Sequence, residues 1–450
     1  MGAGHASGPP QSLHKRGLDQ PATRQASRVR DQPVDGRARA IAVAGLSVAL
    51  ISLLITILRY IHDRRDARTD RELRIQQLMQ EAWDLIGGQK GNAHIARKPI
   101  RTPKDLAALE LARRNIDVVL KLQKNDPRAI GLRGLCSLEA GDFPKAAEDF
   151  RLAMRLDPKR PGPYDLMGSL HRLEGRWEES ILCHQKALAL DPVNAATRGH
   201  LGLTLFDSGR QHEGVAELRR AIEMSPNNLY DQVNLAALLT DLGEIDEAEE
   251  VLQRVLMLEP GSAQAHGNLG KVRALQDRLD DAIAEWRTAV AADPLLALGH
   301  RNLGSALVTT GSHEEGIKEL QVAVRLDPSD SEAFLLLANA ARQSGNLEMA
   351  IGTLLALTTR NPGNEEGGLL LAQMFGEAGE VERSIETLQR LTQAMPTAHA
   401  GFNNLGAFLR GQDRLVEAEA AFREAVRLAP TDKLYLTNLT DVLRRQGLPA

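Results

Sequence analysis

The chain has 450 residues, 43% apolar and 25% charged, with a formal charge of −4. That near-neutral balance argues against a general nucleic-acid binder, which carries a net basic surface. An aromatic content of 3% argues against a large β-sandwich or barrel. Cys136 and Cys183, the two cysteines, are too few for a disulfide framework or a four-cysteine zinc ribbon.

Residues 1–39 are rich in Gly, Pro, Ser, Gln and Arg, with seven basic and three acidic side chains. Such a stretch buries too little apolar surface to offset its ordering entropy and is expected to be a disordered basic tail. Residues 40–58, AIAVAGLSVALISLLITIL, then run nineteen positions without a charge. As a helix they span roughly 28 Å, close to the hydrocarbon thickness of a bilayer. Arg39 and Arg59 bracket the run and Tyr60 stands where an interfacial aromatic belongs. A core helix of this length shows a polar stripe, and a cleaved signal peptide ends in small residues. The run shows only Ser47, Ser52 and Thr56 as interruptions and ends Ile57-Leu58-Arg59-Tyr60. The expectation is a single-pass, N-terminal membrane anchor in a plasma or inner membrane, contacting the lipid bilayer through residues 40–58. Five arginines precede it within reach and six follow, so charge does not set its orientation.

Residues 59–126 read as a juxtamembrane helix, a basic Gly-rich loop over 87–99 and a degenerate capping repeat, with helices over 70–86 and 104–124. Beyond them a period dominates. Prolines recur every 34 residues from Pro158 to Pro430, defining nine repeats over residues 127–432 when the proline is the thirty-second place of each. The eighth place is always Gly or Ala, as in Gly134, Gly270 and Ala338, and the twentieth is Gly, Ala or Ser. The twenty-fourth is large in every repeat, from Phe150 through His184 and Trp286 to Phe422. Small residues let two helices approach and large ones fill the space beside the contact. Glycine at the fifteenth place, replaced by Asp277 and Asp413 in two repeats, marks where the first helix stops in a left-handed turn. The late proline ends the second helix.

These columns resemble the tetratricopeptide repeat, a 34-residue helix–turn–helix unit with small packing residues and a terminal proline. The resemblance implies an all-α, right-handed α-solenoid, here preceded by one transmembrane helix. The family's aromatic columns are sparse: the fourth place is aromatic only at Tyr164, Phe334 and Phe402. Residues 433–450 read as a capping helix over the last repeat.

No catalytic or phosphate-binding fingerprint occurs, so the chain is expected to be no enzyme and to need no cofactor. His171, Cys183 and His184 share one repeat, but they read better as packing residues than as metal ligands. Asn234, Asn268, Asn302, Asn404 and Asn438 all occupy the sixth place of a first helix, although Asn is a poor helix-interior residue. By resemblance, in particular to the arrays of O-linked N-acetylglucosamine transferases, such a column lines the concave groove and holds the backbone of an extended peptide. Alternatively, it bonds neighbouring repeats to one another. Leu336 and Leu370 interrupt it. Arg301 and Asn403 at the fifth place, with Lys271 and Asn339 at the ninth, lie on the same side. Lys271 and Arg301 suit an acidic ligand group, but they do not complete the two-lysine, two-asparagine clamp of chaperone-binding family members. The function expected is a membrane-anchored scaffold with proteins or peptides as partners and no nucleic acid. The alternatives are an assembly or regulatory subunit of an envelope, secretion or glycosyltransferase complex, and a self-assembling scaffold.

Overall fold

A computed structural model describes residues 36–86 and 103–449. Among the described residues there are 21 helices and no strand. The chain divides into two units, residues 1–73 and residues 74–450.

In the first unit the described residues belong to a helix that spans Gly36–Ile86 in all. The tail expected over 1–39 lies outside the described residues up to residue 35, and its last four residues are helical. The uncharged run 40–58 is helical throughout, with side chains described from Leu53 onward. Among the described residues no helix is long and apolar enough to cross a membrane. Sequence reading separates the run from a helix over 70–86, whereas the structure joins them. Pairs one turn apart, His62–Asp66 at 3.4 Å and Arg68–Glu72 at 3.1 Å, favour helix through the polar stretch between. The basic loop read over 87–99 lies outside the described residues.

The second unit opens with Ile75, Ala82 and Ile86, buried against Leu109, Ala112, Ile116 and Val119 of the helix Pro103–Leu122. Nine helical hairpins follow. In repeat 1 the helices are Pro127–Glu139 and Phe143–Leu156, and in repeat 9 His399–Gly411 and Leu415–Leu428. The fifteenth-place turn is left-handed in all nine: seven glycines lie at φ 73–89°, and Asp277 and Asp413 at 59°. Each second helix stops two residues before the periodic proline, as Leu190 does before Pro192 and Leu326 before Pro328.

The small and large columns meet as their chemistry requires. A Cβ on Gly134 would lie 2.6 Å from the Phe150 ring, and one on Gly270 2.5 Å from Trp286 Nε1. Where the twentieth place is serine, its hydroxyl donates to the eighth-place carbonyl, Ser180 to Gly168 at 2.7 Å and Ser384 to Ala372 at 2.8 Å.

Each hairpin packs on the next, and at most joints the first helices of consecutive repeats also touch one another. That contact puts the first helices on the inner, crowded side of the array. The helix Lys433–Arg445 covers the last repeat with Tyr435 and Val442 buried. The apolar core runs as consecutive clusters. One ends at Leu170 in repeat 2 and the next large one begins at Leu203 in repeat 3. Between them lies a small cluster of Ile181, Leu201 and Leu205, joined by Leu188.

Candidate functional site

The inner face is built from the fourth, fifth, sixth and ninth places of the first helices. Helical geometry turns the sixth place toward the preceding repeat, and side chains there reach its fifth place. Asn268 Nδ2 donates to the Val233 carbonyl at 3.4 Å, and Asn438 Nδ2 to Asn403 Oδ1 at 2.8 Å. Asn403 itself is buried and its Nδ2 approaches Asn404 Oδ1 at 3.4 Å. The Nδ2 of Asn234 is buried without a hydrogen bond. Asn302 and Asn339 are half-buried. At two of the five asparagines the column therefore links neighbouring repeats.

The two candidate cations are engaged inside the array. Lys271 Nζ lies 2.6 Å from Asp241 of the preceding repeat, and Arg301 lies 3.1 Å from Asp330 and 2.7 Å from Glu332. Each is partly neutralised before any ligand arrives.

A groove of about 770 Å³ opens between the first helices of repeats 8 and 9 (Glu365–Glu377 and His399–Gly411). Leu369, Leu370, Ala407 and Phe408 form its apolar floor, and Asn404 and Glu366 stand on its edge. Glu377, also on the edge, is held by Gln373 at 2.9 Å and Arg342 at 3.2 Å. Glu366 is exposed and forms no ion pair among the described residues.

The fourth place, sparse in aromatics, has a separate task. Tyr164, Arg198, Gln232, His266 and His300 each direct a donor to the periodic proline's carbonyl six residues earlier, at 2.8–3.4 Å. Arg198, His266 and His300 also reach a glutamate of their own second helix, at 2.8, 2.6 and 2.6 Å. These contacts tie three turns together and replace ring packing with hydrogen bonds.

At the joint of repeats 2 and 3 the core turns polar. His184 Nδ1 lies 3.0 Å from Asp165 Oδ1, and His200 Nδ1 lies 3.1 and 3.2 Å from the two oxygens of the same carboxylate. The Nε2 atoms of both rings are buried without a hydrogen bond. Burial works to raise the Asp165 carboxyl, but the charge of His200 and hydrogen bonds from both rings overcome it and hold it below the carboxylate range. Burial lowers His184 despite Asp165, whereas for His200 burial, the largest single influence, is overcome by the charge and hydrogen bond of Asp165 together with the charge of Asp231, and the group is raised. Asp231, 2% exposed and bonded by Asn228 Nδ2 at 2.7 Å, is pushed up to about 6 by burial. His171 instead pairs with Glu174 at 3.4 Å, and Cys183 is half-buried. The histidine and cysteine considered together from sequence therefore do not converge with His184 on one point.

Residues 164–194, 205–301, 301–365 and 369–433 match the tetratricopeptide repeat family. The second unit is a tetratricopeptide-repeat solenoid. No curated protein matches the chain in sequence. Among solved structures, IFIT1 with Gppp-AAAA is 20% identical over 72% of this chain and 78% of its own, with a TM-score of 0.50. At that identity the likeness concerns the fold alone. YrrB, described as a TPR protein with an unusual peptide-binding site, is 16% identical over 42% of this chain and 97% of its own, at a TM-score of 0.36. PilF of Pseudomonas aeruginosa is 20% identical over 51% of this chain and 99% of its own, at 0.39.

Within this tetratricopeptide array, sequence reading found the sixth-place column but not the fifth-place partner that Asn268 and Asn438 meet. The signal was available as a separation of 35 residues, one repeat plus one, which joins Asn268 to Val233, Asn438 to Asn403 and His200 to Asp165. It also missed Asp165 and His200 beside His184, since their meeting needs three helices stacked in register.

Proposed function

We propose that the tetratricopeptide solenoid is a protein-interaction scaffold, tethered to a membrane by residues 40–58, that holds an extended peptide segment on its inner face. The observation that carries this reading is the groove between the first helices of repeats 8 and 9. Its apolar floor accepts a large aliphatic or aromatic side chain by burial alone. Asn404 has its Oδ1 turned to Asn403, which leaves its amide N–H groups to donate to a peptide carbonyl. Glu366 stands exposed at the edge, suited to a lysine or arginine on the same segment. The ligand chemistry is therefore an extended segment with an apolar anchor and a neighbouring basic residue. Anchoring rests on the nineteen uncharged positions and on Leu53, Leu54, Ile55, Ile57 and Leu58, all exposed on the helix. Tethering confines the scaffold and its partners to one surface and raises their effective concentration.

Selection of peptides on the detergent-solubilised full chain tests the ligand. Apolar–basic segments are expected to be enriched. Asn404→Ala is expected to weaken their binding by about 1 kcal/mol, and Glu366→Lys to turn the preference toward acidic residues. Binding unaltered in both variants would move the site elsewhere. For the tether, the chain is expected to stay with membranes washed in alkaline carbonate, and its release would remove anchoring.

A further inference from the structure

Three departures from the repeat pattern fall on one joint. Among nine repeats, Asp165 is the only acidic residue at the fifth place, His200 the only histidine at the sixth and His184 the only ionisable residue at the twenty-fourth. They come from three helices, Gly162–Leu173, Trp177–Leu190 and Ala195–Asp207, and the stacking of the repeats brings them together.

We propose that Asp165, His184 and His200 form a site for one divalent transition-metal ion of the zinc or cobalt class. Each residue offers a ligand atom, and the three atoms lie within 4.8 Å of one another. The Asp165 carboxylate stands 3.0–3.2 Å from the Nδ1 of both rings. Ligands about 2.0–2.1 Å from a tetrahedral ion are separated by about 3.3–3.4 Å. The carboxylate–ring separations already come near this, and the two rings, whose ligand atoms lie within 4.8 Å, would swing toward one another to complete the set. Two imidazoles and one carboxylate are the ligand types such ions accept, and calcium or magnesium prefers oxygen alone.

The surroundings favour a cation. Both Nδ1 atoms already face the Asp165 carboxylate, so an ion would take the place of the protons they share with it. The proton left on each ring would then sit on Nε2, which is buried without a hydrogen bond, a cost that coordination must offset. Asp231 adds a second buried carboxylate across from His200, packed against Gly199, where a Cβ would lie 2.7 Å from its Oδ1. The nearby guanidinium of Arg172 is engaged by Asp207 at 2.7 Å. A dication on two neutral imidazoles balances the two carboxylates. An ion would reach the set past Asp165, whose side chain is 16% exposed, against 0% for His184 and 8% for His200. Water would complete the coordination of a bound ion from that side.

The repeat supplies its own controls. Leucine fills the twenty-fourth place in five other repeats and asparagine recurs at the sixth, so His184→Leu and His200→Asn restore side chains the fold already accommodates. The full chain, stripped with a chelator and titrated with Co²⁺, is expected to bind one ion per chain. Its visible d–d bands should mark nitrogen and oxygen ligands, without a thiolate charge-transfer band. Zn²⁺ is expected to displace the cobalt, and each variant, with Asp165→Asn, to weaken binding by at least about tenfold. No uptake by the wild-type chain would overturn the proposal without reference to any variant. So would uptake unaltered in the folded leucine and asparagine variants, or a thiolate band placing the ion on Cys136 or Cys183.

Discussion

Cys136 is 4% exposed in the first helix of repeat 1. Burial is the largest influence on its thiol, opposed by Arg113 and aided by Glu139 and Asp117, and the result is pushed up to about 12. At pH 8 its thiolate fraction is then on the order of 10⁻⁴. Iodoacetamide at that pH is expected to label Cys183 well before Cys136, with Cys136 reacting only in denaturant. Peptide mass spectrometry reads the order, and equal native labelling would contradict the burial. At the same scale, composition shows that Lys271 and Arg301 are cations but not whom they serve. Their partners Asp241 and Asp330 lie 30 and 29 residues away, almost one repeat, and only the superposition of successive hairpins makes them neighbours.

Among the elements, the turn between the two helices was the most legible part of the repeat. A left-handed residue is required wherever a first helix stops and reverses, and glycine meets that need without a Cβ clash. Asp277 and Asp413 adopt the same conformation at φ 59° and carry the strain of a side chain there. Asp277→Gly is expected to stabilise the chain by about 0.5–1 kcal/mol, the relief of strain exceeding the added freedom of the unfolded chain. Urea denaturation measures it. A lower midpoint would mean that the Asp277 carboxylate itself holds the turn. The fourth place was less legible. The tetratricopeptide pattern leads one to expect a ring there, and its absence reads as lost packing. The structure shows donors to the proline carbonyl instead, such as His300 to Pro294 at 3.1 Å, and these need a side chain's reach more than its apolar area.

For the solenoid as a whole, stability is transmitted from neighbour to neighbour, since each repeat buries its core only against the next. The helix Lys433–Arg445 closes that series by placing Val442 in the cluster that holds Leu405, Leu409 and Phe422. Deleting residues 433–450 is expected to accelerate hydrogen exchange in repeat 9 first, then in repeat 8, while repeats 1–5 keep their protection. Mass spectrometry of exchanged peptides resolves the gradient, and a uniform rise along the array would show that it unfolds as one body.

By itself the sequence determined the helical hairpin, its length and the number of its copies. Each of these depends on residues at most a few turns apart: a stop residue, a small–large pair and a terminating proline. The tertiary structure alone decided what the inner face presents. Stacking pairs the sixth place of one repeat with the fifth of the one before, turning asparagines toward their neighbours at Val233 and Asn403 and gathering Asp165, His184 and His200 at one joint. A 34-residue period states which positions are equivalent. Which of them touch follows from how one hairpin settles on the next, and packing sets that angle.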